Sequence, residues 1–458
     1  MAARNQRLPF AARNTYTAAG RLIPIQKSKL TRRKPATVQI VRQGETTKLG
    51  YFLDGYESLS DGLFNTPRIL LIPMNWRTRI HTDLAAQAAK QAYRRRTPRR
   101  ADVPPPEIDF DGTRLLNFGG NDYLGLSRDE SVIAAWQQAL SRFGSGSGGS
   151  PLLSGHTDAH EALEQLLAGW LGYERALVFA SGYAANQAVL LGLLGKNDVL
   201  LADKYCHASM QEAAALSSAA FRRFAHQQYH QLAALLPQYA GRCTLVASEG
   251  VFSMDGDCAD LPRLHGLCRE HGAWLLLDDA HGFGVLGDEG KGSAAAAGMQ
   301  PDILIVTFGK AAGAMGAAVL CSHHTAEYLT QFARHLVYST AIPPAQAAAL
   351  AAACTRLRQA DDLRARLRSN IAYFQTALSQ IGLAEKLLPS STAIQPFICG
   401  NNQAALDAAA RLRDFGLYVP AIRPPTVPVG QARLRITLTA AHSRTDIERL
   451  AEGLHNAV

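Results

Sequence analysis

Runs of four or five mostly apolar residues recur through the middle of the chain, at 176–180, 199–202, 244–247, 273–277, 303–306 and 317–321, with longer helix-like segments between them. Runs this short, apolar on both faces, predict the strands of a mainly parallel sheet covered on both sides by helices. Polar residues follow them closely: Ser181, Asp203, Ser248 with Glu249, Asp278 with Asp279, and Thr307. Ligands of open α/β sheets lie beyond the carboxyl ends of the strands, so these ends predict a shared site.

Outside this region the pattern changes. Trp76, Ile80, Leu84 and Ala88 fall four apart and predict a helix running to Arg94, Arg95 and Arg96, cations that suit the last turn of a helix dipole. Pro104, Pro105 and Pro106 then mark a linker. Beyond residue 350 an Ala-rich helix leads to a strand at 393–399, a helix over 403–415 and an alternating strand at 433–438, one face of which should be wet. A last helix should start at Ser443, with Asp446 completing a capping box. The expected organisation is a basic extension over 1–73, a helix arm and linker over 74–112, a large α/β domain over 113–349 and a small α+β domain over 350–458. No transmembrane span is predicted, because the long uncharged run at 336–355 is broken by Pro343 and Pro344.

Composition places the 458 residues among folded water-soluble chains, 47% hydrophobic and 19% charged, and excludes wholesale disorder. The net charge of +9 looks like a nucleic-acid signal until it is divided along the chain. Residues 1–73 hold twelve Lys and Arg against four acids, leaving 35 basic and 34 acidic residues for the remainder. A nucleic-acid-binding reading therefore rests on the extension alone, which has no aromatic interleaving. Residues 1–44 lack acids and are rich in Arg, Ser and Thr, the composition of an organellar leader. Met74 opens a far more orderly sequence and is expected to be the functional start, with a leader as the second reading. The seven cysteines are scattered and form no CxxC pair, so neither a disulfide framework nor a zinc site is signalled, and a reducing cytoplasm is the expected compartment.

Two glycine strings match GxGxxG. That at Gly144, Gly146 and Gly149 follows a helix-like segment where a strand is required, and that at Gly282, Gly284 and Gly287 precedes a poor helix former, so neither predicts a dinucleotide site. Gly309-Lys310 is no P-loop, since Ala311 replaces the Ser or Thr that would ligate magnesium. Lys310 is nevertheless the most informative residue, lying just beyond an apolar strand among small neighbours. Asp278 ends another strand, and Ser181-Gly182-Tyr183 turns a strand into an apolar helix whose N-terminus suits an anion. An amine, a carboxylate for a pyridinium nitrogen and a phosphate cup are the three demands of pyridoxal phosphate.

The ordered set Asn121-Asp122-Tyr123-Leu124-Gly125-Leu126, GSGSGGS at 144–150, Ser181-Gly182-Tyr183, the stretch 249–257, Asp278-Asp279-Ala280-His281-Gly282 and Thr307-Phe308-Gly309-Lys310 resembles the α-oxoamine synthases. These are fold-type I enzymes dependent on pyridoxal phosphate, related to class II aminotransferases, and the resemblance runs from Met74 to the C-terminus. It implies that Lys310 carries the cofactor and acts as base, and that Asp278 keeps the ring nitrogen protonated. His207 would stack on the ring and His281 would bond the ring oxygen. Gly182, Tyr183, Ser253 and Thr307 would hold the phosphate, with Glu249 shaping the pocket. Asn121 and Arg423 would hold the amino-acid carboxylate, while Arg94 and Thr426 would meet the acyl substrate. The run 421–428 points within the family to L-alanine and a pimeloyl thioester, carried by coenzyme A or a carrier protein, as in biotin biosynthesis. Glycine with acetyl-CoA is the alternative pair. A homodimer is implied, with Tyr338-Ser339-Thr340 reaching into the partner's site. Tyr183 departs from the family pattern, where Phe is common, and so does the stretch 311–316.

Overall fold

The computed structural model describes residues 75–100 and 102–458, and its contacts divide the chain into two units at the boundary between His81 and Thr82. The described part of the first unit, residues 75–81, opens the helix Trp76–Ala89, none of whose residues is buried. The expected helix is present, but it stops at Ala89 and Gln91 takes a positive φ of 54°. Arg94–Arg96 therefore follow the helix instead of closing its last turn. The reading of residues 1–73 as an extension lies outside the described residues.

The described residues of the second unit contain thirteen strands: β1 (Glu107–Phe110), β2 (Thr113–Asn117), β3 (Arg175–Phe179), β4 (Val199–Asp203), β5 (Ala220–Phe224), β6 (Thr244–Glu249), β7 (Trp274–Asp278), β8 (Ile303–Thr307), β9 (Ala317–Cys321), β10 (Ile394–Gly400), β11 (Leu417–Tyr418), β12 (Ala421–Ile422) and β13 (Ala432–Thr437). Seven form one sheet in the order β3-β9-β8-β7-β6-β4-β5. β5, β4, β6, β7 and β8 pair in parallel, whereas β9 runs antiparallel to both neighbours.

Six of the seven strands coincide with the apolar runs of the sequence. β5 escaped that pattern because it is an edge strand, and its exposed Arg222 and Arg223 suit an edge that must not recruit another strand. The central strands are covered on both faces. In β8, Leu304 and Val306 join one apolar cluster while Ile303 and Ile305 join another, because successive side chains point to opposite sides of the sheet. Each such burial stabilises by roughly 1.5–3 kcal/mol, so the strand ends are presented from a stiff base.

The smaller sheets are β1-β2-β11 and β10-β13-β12. β13 corrects an expectation: every residue in it is buried, including Arg433 and Arg435. The alternation is real, but its polar face packs against the loop at 253–255, where Arg433 Nη1 lies 2.7 Å from Asp255 Oδ1 and Arg435 Nε donates to the Ser253 carbonyl at 2.6 Å. The final helix, Arg444–Ala457, begins at Ser443 with the reciprocal Ser443–Asp446 capping box. Among the described residues no helix is long and apolar enough to cross a membrane.

Candidate active site

β6 and β7 end side by side, with Glu249 and Asp278 as register partners. β8 ends next to them at Thr307, and the turn that follows carries Lys310. The buried Asp278 carboxylate accepts from Asn186 Nδ2 at 2.7 Å and from the Ala280 amide at 3.0 Å. Asn186 belongs to the helix Gly182–Leu193, which Ser181 caps by accepting from the Ala184 amide at 3.2 Å. One helix thus presents its N-terminus at Gly182 and, one turn later, the amide that orients Asp278.

Lys310 is half-buried. Burial lowers its pKa below the ordinary lysine range; Asp278 and Glu249 oppose that shift, and the Arg435 cation adds to it. Glu249 is pushed well above the ordinary carboxylate range by burial first and by Asp278 second. His207 caps the helix Ala208–Leu216, its Nδ1 lying 2.8 Å from Ser209 Oγ, and burial lowers its pKa, with Lys310 adding and Asp278 opposing. His281 is buried, its Nδ1 sits 2.6 Å from the Tyr123 hydroxyl, and burial and the cations Lys310 and Arg435 keep it neutral. The Tyr123 hydroxyl also reaches Asn121 Oδ1 at 3.4 Å, and Arg435 Nη2 approaches the same oxygen at 3.3 Å.

Two observations test whether this arrangement accommodates pyridoxal phosphate. The Thr307 hydroxyl is buried without a hydrogen-bond partner, so it is available to an acceptor that the protein itself does not supply. A Cβ added at Gly182 would lie 2.6 Å from Thr307 Cγ2, so only glycine leaves the cup at the helix start open. The first amides of a helix have no intrahelical acceptor. With Ala184 N taken by Ser181, those of Gly182 and Tyr183 remain for an anion beside the Thr307 hydroxyl. With Asp278 and Lys310, whose charges interact, they make up an amine, a carboxylate and an anion site, a set that fits the cofactor.

Lys310, Asp278, His207, His281, Gly182, Thr307 and Asn121 are brought into this one region. Ser253 is tied to it through its carbonyl and Arg435. Tyr183 sets its ring edge-on to His207, centroids 6.2 Å apart, and its hydroxyl bonds Glu212. Arg94, Arg423 and Thr426 share a separate groove of about 1060 Å³, with Gln91 and Asn401 also on its walls. Arg423 donates to the Gln91 carbonyl there, so the guanidinium that meets Asn121 is that of Arg435. Arg435, Tyr123 and Asn186 went unassigned in the sequence. Asn186 carried a signal, four residues after Gly182 and so on the same helix face.

A family model described as aminotransferase class I and II matches residues 113–454. An 8-amino-7-oxononanoate synthase of Serratia proteamaculans is 56% identical over 84% of this chain and 99% of its own length. That of Klebsiella pneumoniae is 52% identical over 83% and 99%. Among solved structures, serine palmitoyltransferase of Sphingomonas wittichii superposes with a TM-score of 0.77 at 33% identity, covering 83% of this chain and 96% of that one. An 8-amino-7-oxononanoate synthase of Francisella tularensis superposes with a TM-score of 0.66 at 32% identity over 75% and 97%.

Proposed function

The chain belongs to the aminotransferase class I and II family, and from that membership we propose that it condenses L-alanine with a pimeloyl thioester to give 8-amino-7-oxononanoate, carbon dioxide and the free thiol, a step of biotin biosynthesis. The names of its relatives support this reaction. The observation that carries it is the half-buried Lys310 beside Asp278, His207 and His281, next to the open cup at Gly182 and Thr307.

Pyridoxal phosphate, when bound, supplies an electron sink for the carbanion formed at the α-carbon of the amino acid. Lys310 would carry the cofactor and is the base for the α-proton; the depression of its pKa by burial increases the share of neutral amine able to act so. Asp278, oriented by Asn186 and the Ala280 amide, would keep the pyridine nitrogen protonated. His207 would stack on the ring. His281, fixed through Nδ1 by Tyr123, would offer Nε2 to the ring oxygen. The Gly182 and Tyr183 amides, with the Ser253 and Thr307 hydroxyls, would hold the phosphate. Asn121 and Arg435 hold the alanine carboxylate. Arg423, assigned that task from the resemblance, works instead in the groove with Arg94 and Thr426, where the cations meet the distal carboxylate of the pimeloyl chain.

Residues 113–349 form the cofactor-binding part and 350–458 the smaller part that closes the substrate side. The enzyme works as a homodimer in the cytoplasm, a compartment that suits seven unpaired cysteines. The test is thiol release by the full chain loaded with pyridoxal phosphate. Faster release from pimeloyl-CoA with L-alanine than from acetyl-CoA with glycine is expected; the reverse order would overturn the substrate assignment and leave the cofactor site standing.

A further inference from the structure

His226 lies in the turn after β5, outside the reacting region, and both its ring nitrogens face carboxylates: Nδ1 is 3.0 Å from Asp203 Oδ1, and Nε2 is 2.7 Å from Asp257 Oδ2. A neutral imidazole has one donor and would point a lone pair at one of these acids, whereas the imidazolium donates from both nitrogens and matches two carboxylates. Tyr205 stacks on the ring at 4.4 Å and Phe252 meets it edge-on at 4.4 Å.

The two carboxylates belong to different walls of the site. Asp203 ends β4 and accepts from the Tyr205 amide at 2.8 Å, fixing the turn that leads to His207. Asp257 lies on the loop closed by the Val251–Cys258 bridge, where the Phe252 amide donates to the Asp257 carbonyl at 3.0 Å. That loop carries Ser253, whose carbonyl receives Arg435. Gln227 reinforces the join by donating its amide to Asp203 at 2.9 Å and its side chain to Asp257 at 2.5 Å.

We infer that His226 is a positioning residue whose imidazolium, bridging Asp203 and Asp257, sets the separation between the turn bearing His207 and the loop bearing Ser253 and Arg435's anchor, and so governs how tightly the cofactor and the amino-acid carboxylate are held. The inference rests on the function proposed above. Burial alone would lower the pKa of His226, but its bonds to Asp203 and Asp257 outweigh burial and raise it to about 9, so the bridge is intact at neutral pH. The hydrogen bonds and ring contacts of His226 given above are with Asp203, Asp257, Tyr205 and Phe252 and not with Lys310, Asp278, His207 or His281.

The test uses the full chain with His226→Gln, Asp257→Asn and His226→Arg, followed by visible circular dichroism of bound pyridoxal phosphate, its dissociation constant, and kcat and KM for L-alanine. Loss of one charged hydrogen bond predicts a dissociation constant raised on the order of tenfold in the first two variants. The dichroic band of the cofactor should change with it, and KM should rise more than kcat falls. Arginine, which keeps the charge and can donate to both acids, should recover much of the difference. Asp257 is partly exposed, so its neutral replacement remains informative even if His226 variants fold poorly. Variants that lose thermal stability yet keep the wild-type dichroism, cofactor constant and KM would overturn the inference. A wild-type chain that takes up no pyridoxal phosphate would overturn the proposed function, and this inference with it.

Discussion

Glu249 and Asp278 are paired in register at the last positions of two adjacent parallel strands, both buried. Two such carboxylates cannot share the space as two anions without a large electrostatic cost. Burial first and the nearness of Asp278 second push the Glu249 carboxyl well above the ordinary range, which favours placing the pair's shared proton on Glu249.

An amide should therefore replace Glu249 with little loss. Glu249→Gln is expected to keep kcat within about threefold of wild type, a change below ~1 kcal/mol. Asp278→Asn, which removes the proposed partner of the ring nitrogen, should lower kcat on the order of 10²- to 10⁴-fold. Steady-state kinetics with cofactor in excess separates the two, and equal losses would contradict the division of charge.

Asp279, next in the chain, is raised to about 7 by burial, while Ser293 donates to it from both hydroxyl and amide. A folded-state pKa above the unfolded value means that the native state binds more protons, so this group's stabilisation is complete below about pH 4 and is lost as pH rises to about 7. His226 behaves the same way in a later window, its contribution present below about pH 6.5 and lost as pH rises through about 9. Urea titrations across pH should show Asp279→Asn flattening the first slope and His226→Gln the second.

Gly182 and Thr307 leave room for no further methyl group. Gly182→Ala is expected to cost about 1–3 kcal/mol in overpacking and to weaken cofactor binding. Serine at 307 keeps the hydroxyl and removes the methyl that a Cβ at 182 would strike. The Gly182→Ala/Thr307→Ser double variant should bind pyridoxal phosphate more tightly than Gly182→Ala alone, as measured by fluorescence titration.

Arg435→Lys retains the charge but loses the forked geometry that spans the Ser253 carbonyl, Thr437 and Asn121. KM for L-alanine should rise on the order of tenfold or more, with a smaller change in the affinity for pyridoxal phosphate.

Arg433 is fully buried against Asp255. Arg433→Met leaves that carboxylate without its partner and should cost about 3–5 kcal/mol in urea unfolding. Adding Asp255→Asn should recover part of the loss.

The sheet was legible because its strands are buried on both faces, and runs such as 303–306 have no other reading of comparable simplicity. Lys310, Asp278 and Gly182 were legible because each stands within four residues of the end of such a run. β5 was not, since Arg222 and Arg223 make an edge strand look like a loop. Arg435 was hidden by a sound rule applied to the wrong surroundings: alternating arginines mark a wet face unless another segment supplies acceptors, and the Ser253 carbonyl and Asp255 come from about 180 residues away. His226 gave no signal at all, because its meaning depends on two acids separated in sequence and joined only by folding.

Gly182 and Asn186 share one helix, and four residues of α-helix rise about 6 Å whatever their side chains. The spacing from the proposed phosphate site at Gly182 to the amide that orients Asp278 is therefore a gauge cut in backbone geometry, which point mutations on the helix surface cannot lengthen. A cofactor analogue with one more methylene in its phosphate arm would have to surrender one end of that gauge, and selection for such an analogue would have to rebuild the helix start before it could retune any side chain.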